Sequence, residues 1–224
     1  MDPAMVLSVE NQAVHLSPMV LAILLLILAA SVGVFVTLVR RETKHRRTVA
    51  LAQWAHSREL RVLKGEIDLP ELAVLAQFKP RTLAALGGEN LTLARIETAE
   101  TLLTAGSVAA RRWNLAFRKL AAAWRTTALR PTEHSISLAD LFSLSSYPSL
   151  MPSNRFMIFG AESRAAQTLA ASSVAALLPA DLGLVLYGNQ LIVDFSGRVF
   201  DEIEFDRLID LIEQLVPLLT PPGA

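Results

Sequence analysis

Residue types able to do chemistry are few in this chain, and they are scattered. The four histidines are His15, His45, His56 and His134. No two are close enough to share a helical face, and none stands beside an acidic pair at metal-ligand spacing. Cysteine is absent, which removes disulfides, thiolate metal sites, iron–sulfur clusters and cysteine nucleophiles. Gly160-Ala-Glu-Ser163 has the strand-turn-helix setting of a nucleophile elbow. It lacks the second glycine and no histidine follows it, so the hydrolase order Ser–acid–His is unavailable and Ser163 reads as a helix start. Gly87-Gly88 is not followed by Lys-Ser/Thr and reads as a turn rather than a phosphate loop.

Asp201, Glu202, Glu204 and Asp206 form the one dense acidic cluster. The glycine that a calcium loop needs at its sharp turn is missing, and negative charge at the start of a last helix is favoured by the helix dipole. Asp194 and Arg198 could pair across a turn. Trp113, Arg118, Trp124, Arg125 and Arg130 mix rings with cations, as a platform for single-stranded nucleic acid would. Lys plus Arg and Asp plus Glu both number 21, which gives such a partner no support, and apolar alternation favours a core face with a solvated opposite face. No catalytic residue, cofactor site or metal site is expected, and the expectation is a protein that is not an enzyme.

The elements that would carry these residues follow from hydrophobic pattern. Residues 1–17 read as a short extracytoplasmic tail. Met19 to Val39 carry no charge over a length close to a bilayer core, so residues 18–40 are expected to form a transmembrane helix, with Ser17 as cap and Pro18 in first position. Arg40, Arg41, Lys44, Arg46 and Arg47 follow, while no Lys or Arg precedes. That asymmetry predicts a single-pass membrane protein with its C-terminal domain in the cytoplasm. These cations and Trp54 are the expected membrane-interface residues, with the top of the core as the other reading of Trp54. Ala29, Gly33 and Thr37 recur at four-residue spacing, either as a docking face for a partner helix or as the stripe that any Ala-rich span generates.

Residues 41–64 read as a basic juxtamembrane, amphipathic helix stopped by Gly65. Residues 65–220 read as an α+β domain, a mostly antiparallel sheet packed with helices, followed by a tail over 221–224. Within it, Asp68-Leu-Pro-Glu71 predicts a helix to about Phe78, and a helical turn is expected over Pro80–Leu86. Strands are expected from Leu91 to Ile96, over Trp113–Arg118, over Trp124–Leu129 and over Arg155–Phe159. Ser137-Leu-Ala-Asp140 predicts a capping box, and Glu162–Leu178 one Ala-rich helix. Tyr187-Gly-Asn-Gln190 predicts a hairpin between Leu182–Leu186 and Leu191–Phe195. Phe205–Leu219 predicts an amphipathic final helix. His134, after Pro131, is expected in solvent.

Leu51-Ala-Gln-Trp54-Ala55, the Leu177-Leu-Pro179 segment, the two strands after it and the final helix together resemble a group of uncharacterised bacterial single-span membrane proteins with an α+β cytoplasmic domain. The resemblance implies architecture and no activity. The function expected is a non-catalytic scaffold or accessory subunit of an integral-membrane complex, docked through its span, with membrane lipids and membrane proteins as partners. A lipid- or small-ligand-binding module is the alternative.

Overall fold

The structure is a computed structural model that describes residues 18–63, 70–99, 101–103, 106–108, 110–134, 136–151 and 153–219. Within these ranges the side chains of residues 18, 20, 21, 24, 44–47, 70–72, 74, 101–103 and 106–108 lie outside the description. His15, Gly65, Asp68, the two expected tails and the side chain of His45 therefore lie outside it.

The chain divides into two compact units, Met1–Ala50 and Leu51–Ala224. In the first unit the described residues belong to α1, which runs from Pro18 to Ser57 and carries its last two turns into the second unit. Among the described residues no helix is long and apolar enough to cross a membrane. Arg40, Arg41 and Glu42 end the uncharged stretch of α1. This corrects the expectation of a transmembrane helix over 18–40. The single-pass membrane assignment and the cytoplasmic placement of the domain depended on that helix and are corrected with it.

The second unit is α+β. Its strands are β1 (Arg61–Leu63), β2 (Arg81–Gly87), β3 (Leu91–Thr98), β4 (Thr101–Leu103), β5 (Gly106–Val108) and β6 (Arg111–Pro131). These are followed by β7 (Ser149–Leu150), β8 (Phe156–Gly160) and β9 (Gly183–Asp194). Seven form one sheet in the order β1-β2-β3-β6-β8-β7 with β9 on β6, and every described pairing is antiparallel. β4 and β5 pair as a separate ribbon. The helices are α2 (Leu138–Leu141), α3 (Ser163–Ala171), α4 (Val174–Leu177) and α5 (Glu202–Leu218), with 3-10 turns at Pro70–Phe78 and Leu144–Ser146.

Both faces of the sheet are covered. One core gathers Ala116, Leu191 and Val193 with Phe205, Leu208 and Ile212 of α5 and the end of α1. The other gathers Trp113, Leu115, Phe117 and Ile192 with Leu75, Phe78 and residues of α2. Residues 113–117 are accordingly all buried, so the solvated opposite face expected there does not exist.

β6 organises the fold. One of its edges is shared by β3, along Arg111–Arg118, and β8, along Thr127–Pro131; the other edge holds β9 between Leu115 and Leu129. The β6–β9 ladder shifts register between Lys119 and Thr127. Across that shift the residues facing the α5 side change parity, from Ala116 and Leu120 to Leu129 on β6, and from Leu184 and Leu186 to Leu191 and Val193 on β9. Inserted residues bend a ribbon in this way. Gly188, at φ +54°, takes the left-handed conformation within the bend. The result is that β9's first and last residues touch: a Cβ on Gly183 would lie 3.5 Å from that of Asp194. Arg111, at the start of β6, likewise donates from Nη1 to the carbonyl of Ile136, beyond its end, at 3.1 Å.

Several expectations are revised by this geometry. Trp113–Arg118 and Trp124–Leu129 belong to one continuous strand, because no breaker separates them. Tyr187–Gln190 is a bend within β9 rather than a hairpin loop, since both halves keep β6 as their partner. Pro80–Leu86 is largely strand β2, drawn into the sheet between β1 and β3. The Ala-rich helix is split at Ser172, whose hydroxyl donates to the Leu169 carbonyl at 2.6 Å and so ends the first half. At α2, the Asp140 carboxylate accepts from the Ser137 N–H at 2.7 Å, as the capping pattern predicts.

Candidate functional site

The bent ribbon creates a polar cleft of ≈ 380 Å³ where its ends meet. Arg111 and Arg112 come from the start of β6, Glu133 and His134 from just after its end, and Asp194 from the end of β9, with Ser196 in the following turn. His134 is half-buried here, a correction to its expected solvent position. Arg111 is fixed by its bond to Ile136 and by stacking 4.4 Å from the Trp113 ring centroid. Arg112 pairs with Glu97 at 3.1 Å.

Asp194 is only 5% exposed. Burial pushes its carboxyl above the usual carboxylate range. Hydrogen bonds from Ser196 act in the opposite direction, as do the charges of Arg111 and His134. The Ser196 N–H donates to Asp194 Oδ1 at 3.0 Å and its hydroxyl donates to the same oxygen. The Asn114 N–H in turn donates to Ser196 Oγ at 3.0 Å. A serine, a histidine and an aspartate therefore share one cleft, but not as a catalytic set. The hydroxyl proton goes to the carboxylate, and among the described residues no hydrogen bond links Ser196 to His134. The histidine base that a Ser-His-Asp triad sets on the serine proton is therefore not in place among the described residues, and that proton is directed to Asp194 instead.

A second cleft, also ≈ 380 Å³, is lined by Phe142, Leu144 and Tyr147 with Gln77, Thr126 and Tyr187. The bend in β9 brings Tyr187 to Phe142, with ring centroids 5.7 Å apart and planes at 45°. Tyr147 and Tyr187 stay 44% and 42% exposed. The hydrogen bond from Gln77 Nε2 to the Leu141 carbonyl, at 3.5 Å, ties the Pro70–Phe78 turn to this wall.

The residues singled out by the sequence lie elsewhere. Asp201 caps α5, accepting from the Glu204 N–H at 3.0 Å, so the acidic cluster opens a helix as expected. Arg198 does not pair with Asp194. It reaches Asp181 at 2.6 Å and Glu204 at 3.1 Å instead, because Asp194 is turned inward to Ser196. The aromatic and basic residues of β6 are committed to the fold. Trp113 Nε1 donates to Thr98 at 3.1 Å and Trp124 Nε1 to the Leu219 carbonyl at 2.9 Å, while Arg118, Arg125 and Arg130 are ion-paired. Among the described residues no group of three His, Asp or Glu could hold a metal ion.

For Trp54 the packing matches the second of its two readings, the top of the core. It packs into the domain core and donates to Asp206 at 3.0 Å. Ala29, Gly33 and Thr37 are exposed on α1, and the Thr37 hydroxyl is turned back to the Gly33 and Val34 carbonyls. Arg40 and Arg41 are exposed; the side chains of Lys44, Arg46 and Arg47 lie outside the described residues. Neither cleft was visible in the sequence, because each is assembled from distant segments. A weak local signal was the pair of aromatics Phe142 and Tyr147 in one short loop.

No family model and no curated protein matches this sequence. One solved structure is similar: the mycobacterial trehalose monomycolate transport factor A, TtfA, at 11% identity. The match covers 80% of this chain and 97% of that one, with a TM-score of 0.47. A likeness this distant carries no functional argument.

Proposed function

We propose that this chain is a non-catalytic accessory protein that works by binding, with the aromatic cleft as its ligand site. The observation that carries the reading is the wall of Phe142, Tyr147 and Tyr187, two of its rings half-exposed, around a space of ≈ 380 Å³. That volume falls within the range of small-molecule sites, about 300–1,000 Å³. Aromatic faces favour an apolar body, while the tyrosine hydroxyls, Gln77 and Thr126 favour a few polar groups on the same molecule. A lipid chain with a polar end, or another small amphipathic molecule, has that character. Calorimetry with lauric acid and octyl glucoside as probes tests it. At least one should bind, and Tyr147→Ala with Tyr187→Ala should weaken it about tenfold or more at unchanged melting temperature. Binding of neither probe, or equal binding by the variant, would overturn the reading.

A second reading is favoured by α1, whose described side chains from Leu25 to Val39 are all exposed and uncharged. Exposed apolar surface on this scale marks an interaction site. In this reading the accessory role runs through a partner helix packed on Ala29, Gly33 and Thr37. Gly33 has no neighbour within 4 Å of a Cβ, so Gly33→Leu is harmless within the chain and adds bulk only against a partner. Loss of a co-purifying partner on Gly33→Leu, but not on Leu26→Ile, is expected. Equal recovery from both refutes this second reading.

A further inference from the structure

The polar cleft at the closure of the β6–β9 ribbon is separate from the aromatic one, and its charged lining is brought together from three separated segments of the chain. Arg111 is held rigidly by the Trp113 ring and the Ile136 carbonyl, yet still lines the cleft. Only one of the five N–H groups of a guanidinium is used by Ile136. Asp194 is locked by Ser196 and also lines the cleft, and among the described residues no ion pair joins it to Arg111 or His134. A fixed guanidinium, an imidazole and two carboxylates thus face one space without neutralising one another by contact. Such a set matches a molecule with an anionic group at one end and hydrogen-bond donors at the other.

We infer that this cleft binds a small oxyanion carried beside hydroxyl groups, of the polyol phosphate class, either free or as a lipid headgroup. Arg111 and His134 take the oxyanion, since the guanidinium fork matches phosphate geometry. Asp194 and Glu133 accept from the hydroxyls, a role open to a carboxylate as an acceptor-only group. Gly197 leaves the rim open, with nothing within 4 Å of where a Cβ would stand. The acceptors separate this ligand from bare phosphate, and the Arg111 guanidinium separates it from a neutral polyol.

The test is calorimetric titration of the full chain with glycerol 3-phosphate, inorganic phosphate and glycerol. Glycerol 3-phosphate should bind tightest. Arg111→Gln and His134→Gln should each weaken it about tenfold or more. His134→Gln is the variant safer for folding, because the described hydrogen bonds of His134 are backbone ones. Sedimentation with phosphatidylglycerol vesicles, but not phosphatidylcholine vesicles, would assign the headgroup as the source. Binding to glycerol 3-phosphate in solution would assign the free compound. The inference is overturned if neither form binds, if glycerol 3-phosphate binds no better than phosphate or glycerol, or if both variants bind like the parent chain. Lauric acid binding at the aromatic cleft is independent of all these outcomes.

Discussion

Replacing Trp54 by alanine tests whether the end of α1 is a structural part of the domain. The indole donates to Asp206 Oδ1 at 3.0 Å and lies 5.3 Å from the Phe205 ring, at 45°. Asp206 also holds Arg58 at 2.7 Å and is partly exposed, so losing the indole bond should cost about 1 kcal/mol, below the usual value for a charged acceptor. The ring pair adds roughly 0.5–1.5 kcal/mol. Truncating a half-buried indole re-exposes about 100 Å² of apolar surface, worth roughly 2.5 kcal/mol. These contributions overlap, and about 3–4 kcal/mol is the expected total. For a unit of this size that lowers the melting temperature by about 10 °C. Trp54→Phe keeps the ring contact and loses the donor, so it should cost about 1 kcal/mol and about 3 °C. Thermal unfolding followed by circular dichroism measures both. A Trp54→Ala melting temperature within about 1 °C of the parent would refute the claim that this turn is built into the core. Equal damage from Phe and Ala would refute the partition between ring and donor.

Three further outcomes are expected. Removing residues 1–44 should leave a cooperatively folding domain, because the second compact unit begins at Leu51; loss of the unfolding transition would contradict that boundary. Asp194→Asn should raise stability at neutral pH. The native carboxyl binds its proton more tightly than the unfolded one, so wild-type stability falls as pH rises through its raised value, while the gain from Asn should vanish below the usual carboxylate range; a gain that ignores pH would be contrary. Arg198→Met should cost about 1 kcal/mol at neutral pH, a modest figure because Asp181 is half-exposed. The Arg198 hydrogen bond holds the Asp181 carboxyl below its ordinary range, so that stabilisation is present at neutral pH and lost on acidification through the depressed value; denaturant melts of both chains should converge in acid.

What the sequence made legible was whatever is decided locally. α5 was readable because Leu208, Ile212 and Leu215 are buried on one side while Asp210 is exposed on the other, and because Asp201 can cap it. The Ser137–Asp140 box was readable because its partners are three residues apart. The bend was not. Lys119-Leu-Ala-Ala-Ala contains no glycine or proline, so nothing local says that one strand continues through it. Tyr187-Gly188 supplies the same left-handed residue whether the chain turns back or merely bulges, and the choice is made by β6 on the other side. The clefts were hidden for the same reason: Arg111 and His134 are neighbours only after the ribbon has closed.

That closure also bears on how the domain is made. Leu115 meets Asp194 and Leu129 meets Leu184, partners roughly 55–80 residues apart in the chain. Such distant pairings carry a large loop-closure entropy before any contact rewards them, which puts assembly in the slow, millisecond-to-second class. β3, β8 and β9 all pair with β6, and β9 is the last of them to leave the ribosome. During synthesis the free edge of a 21-residue strand therefore waits for a partner still being translated. Lys119 and Arg125, set along that strand, are the kind of charged residues that discourage a second nascent chain from pairing there first.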